Sequence, residues 1–141
     1  MALTNTPAWP QSPRHAAVGI SSANAATDGT GTITTVIVAG ADGTRITGLH
    51  VGTSATVTAT AVRFLISTNG GVGWTYLPRL DVVVPAHTVA DTTANFGRAT
   101  VVDQNDPTAM FDLPGNAVLG ATIAVSVSGG EMIVEAMGAD Y

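Results

Sequence analysis

The chain has 141 residues, with ten acidic side chains against five arginines and no lysine, which gives a formal charge of -5 and an isoelectric point near 4.7. A chain this acidic repels nucleic acid, and because cysteine is absent, disulfides and thiolate metal sites are excluded. No apolar run approaches the roughly 20 residues of a membrane-spanning helix, and the N-terminus shows no basic region followed by an apolar one. We therefore expect a soluble protein that takes neither nucleic acid nor a membrane as a partner.

The N-terminal segment, residues 1–15, predicts an extended arm that precedes a β-sandwich domain of residues 16–141. Three prolines follow one another at three-residue spacing, which favours a polyproline-like conformation over pairing in a sheet. Trp9 lies among them, and because a free tail seldom benefits from an indole, we predict that the arm docks on a partner; a disordered tail is the alternative. The predicted partner-binding residues are Pro7, Trp9, Pro10 and Pro13.

The next strands alternate with polar turns. Ala16 to Ile20 predicts a short strand, and a polar loop follows it. Thr32 to Ala39 and Arg45 to Val51 predict two strands that the tight turn Gly40 to Gly43 joins into a hairpin.

A longer hairpin, Ser54 to Pro85, is the element around which the domain is expected to form. Its first strand is rich in β-branched residues, its turn contains Gly70 and Gly71, and the second strand has apolar residues at alternate positions. The predicted apolar face of that second strand comprises Trp74, Tyr76, Leu80, Val82 and Val84. The apolar phase of the first strand changes between Ala61 and Val62, which predicts a β-bulge there, and Pro78 is expected at a bulge or an edge.

The rest of the chain predicts further short strands. A polar connector, Ala86 to Asn95, leads to a strand at Phe96 to Val102, and a turn cluster follows at Asp103 to Pro107. Pro114 and Gly115 mark another turn.

A last hairpin is predicted around Gly129 and Gly130, and no stretch has a sustained helical period. This hairpin would pair Val127 with Met132 and Val125 with Val134, all buried on one face. The pattern predicts an all-β protein, a β-sandwich of jelly-roll or Greek-key type.

The three histidines, His15, His50 and His87, stand alone in the sequence, so a zinc site or a general base requires the fold to gather them. No nucleophile motif accompanies them. The expected reading is surface or packed histidines.

Neither cluster of acidic residues predicts chemistry. The segment Asp103 to Asp106 resembles part of a calcium loop but lacks its closing glutamate. Glu131 and Glu135 are expected on the solvated face of a terminal strand rather than as a glycosidase pair. We therefore expect no catalytic residue, cofactor or metal site, and no enzymatic activity.

Four stretches carry a resemblance to a known family: Thr6 to Pro13, Val38 to Ile46, Leu113 to Leu119, and Met137 to Tyr141. With them the chain resembles the decoration (cement) proteins of tailed bacteriophages, which bind the outside of a capsid. The resemblance implies an all-β virion structural protein, a homo-oligomer that is commonly a trimer, with the major capsid protein as partner. It also implies assembly in the host cytoplasm and a final location on the capsid surface.

Two other functions stay open from the sequence. A tail or fibre module could bind a host-surface glycan through Trp74, Tyr76 or Trp9, because aromatic rings form sugar platforms. A hydrolase would need a cleft that gathers His50 or His87 with acids.

Overall fold

The computed structural model describes residues 12–53, 55–88, 98–100 and 111–141. This part of the chain forms ten β-strands and a 3₁₀ turn at Pro78–Leu80, without an α-helix. The strands are β1 (Ser12–Ile20), β2 (Thr34–Val38), β3 (Thr44–Thr53), β4 (Thr60–Ser67), β5 (Thr75–Tyr76), β6 (Val82–Val84), β7 (Arg98–Thr100), β8 (Phe111–Leu113), β9 (Val118–Ile123) and β10 (Met132–Asp140). Within these ranges there is no helix long and apolar enough to cross a membrane.

Two antiparallel sheets pack face to face, which confirms the predicted all-β sandwich. Sheet A has the order β1-β10-β3-β7, with β8 also paired to β3; sheet B has the order β2-β9-β4-β5, with β6 also paired to β4. The hydrophobic core lies between them. Its most buried side chains include Val62, Phe64, Leu119, Ile123, Met132 and Val134.

The hairpin predicted for residues 32–51 is wrong in its pairing, although both strands form. β2 pairs with β9 in sheet B, whereas β3 pairs with β10 in sheet A. The turn itself is confirmed, since the Gly43 amide donates to the Gly40 carbonyl at 3.1 Å. The turn therefore carries the chain from one sheet to the other.

The hairpin predicted around Gly129 and Gly130 is also wrong. The Ala124 amide still donates to the Ala61 carbonyl in sheet B, but the Val127 amide donates to the Ser21 carbonyl, because the chain is crossing to sheet A. Val125 is consequently 44% exposed. The other three side chains of the predicted set, Val127, Met132 and Val134, are buried as expected.

The central hairpin is confirmed, since β4 pairs with β5 and β6, and Gly70 and Gly71 take positive φ in the turn. The predicted bulge at Ala61 and Val62 is wrong, because the register of β4 is unbroken there. The strand begins only at Thr60, and the earlier apolar phase belongs to a separate segment in which Val57 bridges His87.

The apolar face predicted for the second strand of this hairpin is divided between two faces of sheet B. Pro78 opens the 3₁₀ turn rather than a bulge, and this turn changes the side-chain phase. Tyr76 lies opposite Leu65, whereas Val82 lies opposite Val62 and faces the core. Trp74 and Tyr76 therefore lie on the outer face.

Strand β1 begins at Ser12, so the predicted boundary of the arm falls inside a strand. Pro13 pairs with Ala139 at the edge of sheet A, where its missing N–H is tolerated. Residues 1–11 lie outside the described residues. The same holds for the turn cluster at Asp103 to Pro107 and for most of the connector, while Arg98–Thr100 confirms part of the strand predicted at Phe96 to Val102.

Candidate functional site

Three surfaces of the sandwich are candidates for interaction: the end at which β1 begins, the outer face of sheet A, and an aromatic surface on sheet B. The first, here called the arm end, is where the described parts of the four stretches that carry the resemblance meet. Ser12 lies opposite Asp140 in the β1–β10 ladder. The Asn116 amide donates to the Gly40 carbonyl at 2.9 Å, which joins the two turns.

Asp140 is the central polar group of the arm end. Its carboxylate accepts a hydrogen bond from the Thr44 hydroxyl and lies 3.3 Å from an Arg14 nitrogen. Arg14 also donates to the Val38 carbonyl of sheet B at 2.7 Å. Because Asp140 is only 17% exposed, this network is better shielded than a surface ion pair and closes the two sheets against each other.

Tyr141 continues this network on the outside. Its amide donates to the Gly43 carbonyl at 3.2 Å, and its hydroxyl donates to Asp112 at 2.6 Å. The bond to Asp112 raises the pKa of the Tyr141 hydroxyl above its ordinary value. The turns at this end are also tightly packed, since a Cβ at Gly115 would lie 2.1 Å from the Ala41 carbonyl oxygen.

The second surface, here called the sheet A face, is formed by the outward residues of β1, β10 and β3. In register these are His15, Ala17, Gly19, Ile133, Glu135, Met137, Gly48, His50 and Gly52. Four of the nine are glycine or alanine, so ordering the surface costs little side-chain entropy. The Glu131 carboxylate packs over the backbone of Gly19 at its border. The face is therefore low in relief and lightly charged.

The fold brings His15 to Glu135, which the sequence did not predict. The two are 120 positions apart, and His15 Nε2 lies 2.6 Å from Glu135 Oε1. His50 lies opposite Glu135 on β3. His87 is elsewhere, buried, with an Nε2 atom that has no hydrogen-bond partner in the described part of the chain. Among the described residues no three His, Asp or Glu side chains group as metal ligands.

The third surface, here called the aromatic surface, consists of Trp74 and Tyr76 on the outer face of sheet B. The indole lies over Gly120 of β9, where an added Cβ would be 2.6 Å from a ring carbon. Leu65 is 1% exposed beneath this layer and does not belong to the central core. Trp74 and Tyr76 are half-buried, so one side is packed and the other is open.

Polar contacts hold the aromatic surface in place. The Tyr76 hydroxyl donates to Asp81. Burial, followed by this bond to Asp81, raises the pKa of Tyr76 above its ordinary value. Beside the rings, the loop 21–33 is anchored where Asn24 donates to the Ile123 carbonyl at 2.8 Å. Arg63 donates to the Ala25 carbonyl at 3.4 Å.

Of the predicted partner-binding residues, only Pro13 lies within the described residues, exposed on β1; Pro7, Trp9 and Pro10 lie outside them. Sequence reasoning missed the network of Arg14, Thr44 and Asp140, because no spacing or motif links residues that distant strands bring together. Comparison of the chain with protein-family models, with curated proteins and with solved structures finds no match.

Proposed function

We propose that the chain is a non-enzymatic structural protein of a tailed-phage virion, a decoration protein that binds the major capsid protein on the outside of the head and stabilises it. It acts as a homo-oligomer, with a trimer as the expected form. The observation that carries the proposal is the sheet A face, a low, lightly charged surface beside the point where the arm joins the sandwich.

The chemistry of the sheet A face supports protein as the partner. Interface cores are depleted in charged residues, and Glu135, the one carboxylate among the nine residues of the face, lies in hydrogen-bond contact with His15. Met137 is 37% exposed and adds an adaptable apolar contact. Ile133 lies between Gly19 and Gly52 of the neighbouring strands, and the Glu131 carboxylate covers Gly19 on one side of it.

The size of the face supports an oligomer. Three rows on three strands cover about 20 Å by 14 Å, or roughly 300 Å², from the usual spacings in a sheet. A stable interface buries about 800 Å² on each partner. One copy therefore needs further contacts, which an arm or several linked copies provide through avidity.

The strand order also favours a virion protein. Sheet A has the order β1-β10-β3-β7 and sheet B the order β2-β9-β4-β5, so we propose a jelly-roll arrangement, which viral capsid domains use. This support is by analogy of fold, since one fold serves many functions.

Co-sedimentation with particles assembled without the chain tests the proposal. The wild-type protein is expected to bind and to raise the temperature at which the particles open. Ala17→Glu places a second carboxylate directly opposite Glu135 in the sheet A face and should weaken binding by about tenfold or more, because a buried unsatisfied charge costs at least about 1.4 kcal/mol.

Ala59→Glu is the matched control, since Ala59 is also exposed but precedes β4 in the other sheet. It should bind like the wild type. Equal binding by both variants would show that the sheet A face is not the capsid contact. A wild-type protein that binds no particle would overturn the function itself.

A further inference from the structure

We propose that the proline-rich arm of one copy docks on the aromatic surface, Trp74 and Tyr76, of a second copy. This names the partner of the arm and rests on the oligomer of the proposed function. The result is a ring in which each copy gives one arm and receives another.

The chemistry of the arm fits an aromatic partner. A polyproline helix has three residues per turn, so Pro7 and Pro10 fall on one edge. Its backbone carbonyls make no internal hydrogen bonds and remain acceptors. Residues 2–11 carry no charged side chain, so docking leaves no ion unpaired. Grooves lined by aromatic rings are a recurrent binding mode for such segments.

The aromatic surface offers what such a segment needs. Trp74 is seated on Gly120, and its orientation is therefore fixed before binding. Tyr76 lies two residues further, about 7 Å along the chain if it is extended there, and a polyproline turn advances about 9 Å. The two rings together span about one turn of the arm.

The position of Ser12 favours a second copy over the same chain. β1 is the edge strand of sheet A, whereas Trp74 and Tyr76 lie on the outer side of sheet B. An arm would have to turn sharply around the edge of the sandwich to reach them. A sharp turn requires helical backbone angles, and these are disfavoured for a residue that precedes proline. A straight arm leaves its own domain, and exchange around a symmetry axis closes the contacts.

Paramagnetic relaxation tests the exchange on the full chain. The chain has no cysteine, so Thr4→Cys accepts a single nitroxide label. The nitroxide-labelled copy, which contains no ¹⁵N, is mixed in equal amounts with ¹⁵N-labelled wild type. Native mass spectrometry verifies that the two kinds of subunit exchange. In a closed ring about half of the receiving surfaces then face a nitroxide, so the Trp74 indole signal should lose about half its intensity.

Two further chains sharpen the result. Adding Pro7→Ala and Pro10→Ala to the nitroxide copy should reduce docking about tenfold, because each proline limits the freedom of the free arm. Asn5→Ala with Gln11→Ala is the matched control and should leave the broadening unchanged.

An unaffected Trp74 signal in the mixture would overturn the proposal, and so would broadening seen only when nitroxide and ¹⁵N share one chain. If the broadening persists after both prolines are replaced, the proposed contact between the polyproline segment and the aromatic surface is wrong. If oligosaccharides shift the Trp74 indole signal and the nitroxide-labelled arm does not broaden it, the aromatic surface binds a glycan instead of the arm. No particle is present in these measurements, so failure here leaves the capsid co-sedimentation result standing.

Discussion

Replacing Gly120 by alanine tests the packing under the aromatic surface. The new Cβ would lie 2.6 Å and 2.8 Å from two carbons of the Trp74 ring and 2.6 Å from a methyl of Ile33. Real Cβ atoms do not approach that closely, so the ring must move. Overpacking of this kind costs about 1–3 kcal/mol. For a domain of this size that lowers Tm by about 4–12 °C, at roughly 4 °C per kcal/mol.

Thermal unfolding followed by circular dichroism measures this cost, with Gly48→Ala as the matched strand glycine. Gly48 meets only the Met137 methyl at 3.1 Å and an atom of His50 at 3.4 Å, and the exposed Met137 side chain can move aside. Its Tm should change by no more than about 2 °C, as for most surface substitutions. Adding Trp74→Phe to Gly120→Ala removes the clashing ring atoms and should recover part of the loss. Equal Tm values for the two alanine variants would refute the position assigned to the indole.

Two other predictions concern stability. Val125→Asp should change the free energy of unfolding by less than about 1 kcal/mol, whereas Val134→Asp should cost more than about 4 kcal/mol, because Val125 is 44% exposed and Val134 is fully buried; equal urea midpoints would contradict the crossing of the chain between the sheets. Burial and the bond to Asp81 raise the pKa of Tyr76, so the stability that this group contributes is complete below its ordinary pKa of about 10 and is lost as the pH rises through the higher folded value. Tyr76→Phe should therefore flatten the fall of Tm above about pH 10, and an unchanged slope would contradict that contribution.

The strands could be predicted from the sequence because each depends on neighbouring residues. Alternating β-branched side chains mark β3 and β4, and glycines mark the turns at Gly40 and Gly70. The pairing partners of the strands could not be predicted from the sequence, since a turn fixes the direction of the chain but not the sheet that the next strand joins. The Gly129–Gly130 segment illustrates this, because its local pattern fits a hairpin while the chain crosses the sandwich.

The candidate surfaces were predictable only in part. The arm predicted from the proline spacing lies outside the described residues and stays a prediction, whereas the outward position of Glu135 follows from strand alternation. The contact of His15 with Glu135 was not predictable, because β1 and β10 meet only in the folded sheet. The outward position of Trp74 depends on the phase change at the 3₁₀ turn Pro78–Leu80. If the strand alternation continued through these three residues, Trp74 would face the core together with Val82 and Val84.

The central position of β10 in sheet A has a consequence for folding. Its pairs with β1 and β3 join distant parts of the chain, as the 120 positions between His15 and Glu135 and the 96 between Thr44 and Asp140 show. Domains dominated by such non-local pairs fold slowly, in milliseconds to seconds. During synthesis at about 5–20 residues per second, β3 waits roughly 4–16 s for β10. The polar and glycine positions within β1 and β3 protect them during that interval, since they interrupt the apolar runs through which unpaired strands aggregate.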